Sequence, residues 1–299
     1  MTPLLLGLTG LEPTAAELAA LRGLQPQGII LFTRNIQDPQ QTMALIAACQ
    51  AVVDHRLAVT IDEEGGRVKR LPSVEAEGIA PPERPTPWSL AARGVAACRQ
   101  AGFQHGRWLK AWGITHNLAP VFDLGDGGHG IVGDRAFGAT PGTLSPPALA
   151  WCRGMAEAGI ALCAKHFPGH GLSGVDSHHG LPVIPNDADL QTHLAPFRAA
   201  VRAGIQWMMI AHLDLPLPDG RRELAPFSPY WLRTVLREQL GFSGLTISDD
   251  LGMKAVAEGR SVAEIAEAMV RAGCDVLIES RPDPEVWQQA AQGIANAKG

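Results

Sequence analysis

"GLTISDD", residues 244–250, is a short β-prone run that ends on two adjacent carboxylates. A strand apolar at consecutive positions belongs to a sheet covered on both faces, which parallel sheets require. Seven more such runs punctuate the chain: "LLLGLT" (4–9), "GIILF" (28–32), "LAVTI" (57–61), "NLAPVF" (117–122), "ALCAK" (161–165), "WMMIA" (207–211) and "DVLIE" (275–279). Stretches with helical periodicity separate or follow them at 14–24, 38–54, 90–112, 145–158, 188–203, 229–240, 261–272 and 283–297. A doubly wound sheet shows the same alternation, but eight strand–helix pairs favour an α/β fold of one kind, a single (β/α)8 barrel. The expectation is one catalytic domain over residues 1–299, with no second domain. The Pro-rich stretch 78–90 reads as a long surface loop, not a linker.

A barrel puts its chemistry where strands end and the loops to the helices begin. Those ends carry Asp62, Asp123, Lys165 with His166, His212, and Asp249 with Asp250. Polar residues are common at strand ends, so any one of them has an ordinary explanation; five successive strands ending this way point to a site. Adjacent side chains on an extended strand alternate, so only one of Asp249 and Asp250 faces the mouth. The sequence leaves open which.

Composition narrows the function. A formal charge of −5 with no basic run offers nothing to a nucleic acid. The five cysteines are scattered and never form a CxxC pair, which suits buried thiols in a reducing compartment. The opening "MTPLLLGLTGLEPTAAE" lacks a basic n-region and reads as a first strand, and no apolar stretch approaches the roughly 20 residues of a membrane span. A cytoplasmic protein with no membrane partner is expected.

The loop "KHFPGHGLSGVDSHHG" (165–180) holds four histidines. His166 and His170 are four apart but straddle Pro168 and Gly169, which opposes a metal-binding helix, and no Cys or Glu nearby completes a ligand set. Neither this loop nor "GDGGHGIVGDRAFG" (125–138) has the order of a phosphate-binding loop. No metal and no cofactor are expected. Asp176 and His178 lie two apart, and a carboxylate beside an imidazole can make an acid/base pair. A locally capped loop histidine is an equally good reading of the pattern alone.

These residues resemble those of family 3 glycoside hydrolases, and within them the bacterial β-N-acetylglucosaminidases that recycle cell-wall muropeptides. The likeness rests on "GIILFTRN" (28–35), "IDEEGGRVKRL" (61–71), "LAPVFDL" (118–124), "GDRAFG" (133–138), "KHFPGHG" (165–171), "DSHHGLP" (176–182), "MMIAHL" (208–213) and "GFSGLTISDDLGM" (241–253). The resemblance implies Asp249 as nucleophile, His178 as general acid/base and Asp176 as its partner, with Asp62, Arg70, Arg135, Lys165 and His166 on the sugar. Asp123, His170 and His212 would support the pocket. Leu172-Ser173 departs from the Asp-Thr common in relatives.

The implied reaction is retaining hydrolysis of terminal β-linked N-acetylglucosamine from GlcNAc-1,6-anhydroMurNAc-peptides. A neutral imidazole does not repel an anionic acceptor, so a phosphorylase is the alternative within the enzyme class. An inactive sugar-binding barrel is the alternative outside it. The glycines at 169, 171 and 174 imply a loop that closes over substrate.

Overall fold

The computed structural model describes residues 1–173 and 181–299. Eight strands close a parallel barrel among the described residues: β1 (Thr2–Gly7), β2 (Pro26–Leu31), β3 (Ala58–Ile61), β4 (His116–Asn117), β5 (Ala161–Phe167), β6 (Trp207–Ile210), β9 (Leu245–Asp250) and β10 (Val276–Glu279). Each pairs with its sequence neighbours in the ring, and β10 returns to β1 through Leu4–Leu277 and Leu5–Ile278. An antiparallel pair, β7 (Asp214–Pro216) and β8 (Arg222–Leu224), is inserted after β6.

Most strand positions are apolar, and they keep a period of two. Trp207 and Met209 of β6 point into the barrel with Leu5, Ile30, Leu118, Ile247 and Ile278. Their neighbours Met208, Ile210, Leu4, Leu6 and Leu277 point outward into the larger core beneath the helices. Trp207 stacks on His116 with ring centroids 4.4 Å apart. At the other end Ile30, Leu118, Met209 and Ile278 form the apolar floor of an open cavity.

Local signals set the helices. α1 (Ala15–Leu24) starts with a capping box in which Thr14 and Glu17 satisfy each other's backbone N–H groups, and Ser261 with Glu264 does the same for α8 (Val262–Ala272). The stretch expected as one helix over 90–112 is two, α3 (Pro87–Ala91) and α4 (Val95–Ala111), parted at Gly94, whose φ is +93°. α3 begins inside the stretch expected as loop, because Thr86 caps it and Pro87 suits a first helical position. α2 (Pro39–Gln50), α5 (Pro141–Glu157), α6 (Leu190–Arg202), the π-helical Tyr230–Gln239, the single turn α7 (Lys254–Ala257) and α9 (Pro284–Lys298) complete the chain.

Candidate active site

The cavity at the C-terminal mouth of the barrel has a volume of about 870 Å³. That is near the upper end of the ~300–1,000 Å³ range of small-molecule sites. Its wall is built by the ends of several strands, as the barrel expectation required.

β3 hands over to "DEEGGR" (62–67), in which the strand alternation continues for three residues. Asp62 and Glu64 therefore line the cavity, while Glu63 turns behind it. Glu63 is fully buried and binds Arg84 at 2.5 Å, with the Arg84 guanidinium over the Trp108 ring at 4.7 Å. Burial raises the Glu63 carboxyl; the amides of Arg70 and Leu71 and the Arg84 charge work against that rise.

On the cavity side, Lys165 Nζ lies 2.7 Å from both Asp62 Oδ1 and Glu64 Oε1. Arg135 closes on Glu64 with two parallel bonds of 2.8 Å, from Nε to Oε2 and from Nη2 to Oε1. Arg70 Nη2 stands 3.8 Å from Asp62 Oδ2. Burial would raise the Glu64 carboxyl, but Arg135 and then Lys165 outweigh it and hold it well below the usual carboxylate range. For Lys165 burial would lower the ammonium, and Asp62 and Glu64 overcome that, so it stays charged.

Asp123 accepts from His166 Nδ1 at 2.7 Å, from the His166 amide at 3.1 Å and from the His170 amide at 2.6 Å. It is buried, and His166 and His170 more than offset the burial that would raise its pKa. His166 thus lines the cavity with its ring oriented from behind. The Lys165–His166 and Phe167–Pro168 peptides are cis.

Both Asp249 and Asp250 border the cavity, but their surroundings differ. Asp250 Oδ1 accepts from the Gly252 amide at 2.7 Å and Oδ2 from the Ser280 amide at 2.8 Å, so its carboxylate pins the turn to the next strand. Asp249 accepts from the Asp250 amide at 2.8 Å. Burial would raise Asp249; His212, His166, the Asp250 amide and Lys165 together bring it below its ordinary value. His212 is fully buried behind the cavity wall, and its charge is the foremost influence that lowers Asp249.

Residues 6–298 match the family described as Glycosyl hydrolase family 3 N terminal domain. The chain belongs to glycosyl hydrolase family 3. A β-hexosaminidase of Alkalilimnicola ehrlichii is 39% identical over 290 residues, covering 92% of this chain and 80% of that protein. Among solved structures, a family 3 β-N-acetylglucosaminidase from Paenibacillus sp. str. FPU-7 superposes with a TM-score of 0.89 at 31% identity. That likeness covers 99% of this chain but 56% of the other, so the chain spans little more than half its length. NagZ from Neisseria gonorrhoeae, in complex with N-trifluoroacetyl-D-glucosamine, gives a TM-score of 0.85 at 32% identity over 99% of this chain and 88% of its own.

In this family 3 barrel, the expected positions Asp62, Arg70, Arg135, Lys165, His166 and Asp249 converge on one cavity. Asp176 and His178 lie outside the described residues. Glu64 was not anticipated, although its place two residues beyond Asp62 puts it on the same strand face. Among the described residues, no three His, Cys, Asp or Glu side chains gather as a metal would require.

Proposed function

We propose that this family 3 chain is a retaining β-N-acetylhexosaminidase that removes terminal β-linked N-acetylglucosamine, with GlcNAc-1,6-anhydroMurNAc-peptides of the cytoplasm as its natural substrates. Asp249 carries the reading: a carboxylate kept ionised at the barrel mouth, beside a cavity whose other polar groups are held in place by mutual charge pairs. An ionised carboxylate on the wall of a sugar-sized cavity is what a glycosyl-forming nucleophile requires.

In this reading Asp249 attacks the anomeric carbon as His178 gives its proton to the departing oxygen. The C–O bond breaks, a glycosyl ester forms on Asp249, and the aglycone leaves protonated. Water, deprotonated by the same histidine, then opens the ester and releases the sugar with its configuration retained. Asp176 orients the imidazole. The alternating acceptors and donors Asp62, Lys165, Arg70, Arg135 and His166 suit adjacent sugar hydroxyls, because each is already fixed by a neighbour and loses little freedom on binding.

Hydrolysis of 4-nitrophenyl N-acetyl-β-glucosaminide by wild type, Asp249→Ala and His178→Ala tests this. Wild type turns over and releases free N-acetylglucosamine, not its 1-phosphate, in phosphate buffer. Asp249→Ala is inactive, and His178→Ala stalls at the glycosyl-enzyme, from which azide takes the sugar. Wild-type rates in both variants would overturn the assignment.

A further inference from the structure

The chain leaves Glu64 through a tight turn at Gly65 and Gly66, with φ of +96° and +55°. A Cβ on the first would sit 2.6 Å from the Pro85 carbonyl oxygen, and on the second 2.8 Å from Thr86 Cγ2, so the turn has room only for glycine. A bridge between Gly65 and Val68 closes it, with Arg67 at its tip.

Arg67 reaches the loop over 128–135. Its guanidinium donates to the carbonyls of His129 at 3.3 Å, Ile131 at 3.0 Å and Val132 at 3.4 Å, and also to that of Gly130. Its Nε lies 3.4 Å from Asp134 Oδ1. Four consecutive carbonyls and a carboxylate thus converge on one cation. The residues whose carbonyls it gathers, 129–132, are also a wall of the cavity. Three residues further along the loop is Arg135, which Glu64 holds. One short turn therefore grips the same loop twice: Glu64 by a side chain, Arg67 by the backbone.

We infer that Arg67 is a positioning residue for the sugar site, which holds 129–132 against the cavity and so keeps Arg135 seated on Glu64. Only a planar fork with five donors can gather four carbonyls at once; an ammonium cannot. Arg67 itself also borders the cavity, on the loop after β3 and not on the strand that carries Asp249, so its loss is expected to weaken substrate binding more than bond cleavage. This inference rests on the reading of the cavity as a sugar site.

Arg67→Ala and Arg67→Lys are compared with wild type by kcat and KM on 4-nitrophenyl N-acetyl-β-glucosaminide, and by hydrogen exchange of amides 129–135. In Arg67→Ala, KM rises roughly three- to thirtyfold, as expected for losing hydrogen bonds from a charged donor, while kcat stays within about threefold. Millimolar guanidinium brings KM back toward wild type in Arg67→Ala and leaves wild type unchanged. Arg67→Lys falls between the two. Exchange at 129–135 quickens in both variants.

Unchanged KM with unchanged exchange would overturn the inference. So would a kcat that falls in step with KM, without guanidinium rescue and with a lowered Tm, since that pattern marks general destabilisation. If wild type does not cleave the glycoside, the sugar-site reading fails, and the exchange experiment alone decides whether Arg67 holds the loop.

Discussion

Replacing Glu64 with Gln removes the charge that buried Lys165 and partly exposed Arg135 share, while keeping the shape of the side chain. The Glu64 side chain is 1% exposed and accepts two bonds from Arg135 at 2.8 Å, with Lys165 at 2.7 Å. Stripping one partner from a fully buried pair costs about 3–5 kcal/mol. Two features soften that here. Lys165 keeps Asp62 at 2.7 Å, and Arg135, whose side chain is 17% exposed, keeps the Ile131 carbonyl at 3.1 Å. The loss should therefore be about 2–3 kcal/mol, which for a domain of this size lowers Tm by roughly 3–5 °C. Activity falls as well, because Arg135 loses its bidentate anchor and swings from the cavity wall. Thermal unfolding and kcat/KM on the nitrophenyl glycoside are measured together, with Arg135→Met and the double variant completing a cycle. A Tm and kcat/KM equal to wild type, or strictly additive effects in the cycle, would refute the shared-charge account.

Asp250→Ala frees the Gly252 and Ser280 amides and loosens the turn behind Asp249, so kcat should fall roughly 10- to 100-fold, with Asp250→Asn milder; equal kcat in all three proteins would remove Asp250 from any positioning role. Trp207→Ala empties the far end of the barrel at a cost of about 3–5 kcal/mol, yet KM should stay within about twofold, since Trp207 does not border the cavity; a large KM change would show the two ends coupled. The depressed carboxyls of Glu64, Asp123 and Asp249 stabilise the fold fully above the ordinary carboxylate pKa near 4 and lose that contribution as pH falls through their lowered values. On their account Tm should be level from neutral pH to about 5 and drop below about 4, with a shallower drop in Asp123→Asn measured by calorimetry; an unchanged acid slope would count against Asp123.

The barrel was legible because the chain carries eight short, mostly apolar runs, and each of them overlaps an observed strand. The weakest match is "NLAPVF", where regular pairing is confined to His116–Asn117. Pro120 has no N–H to give, and the ladder goes on through the carbonyls of Ala119 and Pro120, which accept from Cys163 and Lys165. The β7–β8 hairpin went unread because Pro216, Pro218 and Gly220 look like loop punctuation, and its strands are three residues each. At the site, strand ends pointed to Asp62, Asp123, Lys165, His166 and Asp249 because barrel topology alone delivers them. Glu64 escaped notice because its partners lie 71 and 101 residues away, beyond any local pattern. The roles of Asp249 and Asp250 likewise needed the Gly252 and Ser280 amides, which only folding brings to Asp250.

Glu63 and Glu64 are the same letter twice, but the fold gives them different freedom to change. Glu63 faces Arg84 behind the cavity, and its Oε2 also accepts from the Arg70 and Leu71 amides, so a neutral Gln can keep those two bonds once the Arg84 charge is gone. A lineage can therefore lose Glu63 if Arg84 departs with it, and the two should drift as a pair. Glu64 has no such exit, because both its cations are also part of the cavity wall. In a library selected for turnover, the first glutamate would be replaced by coupled change and the second would persist.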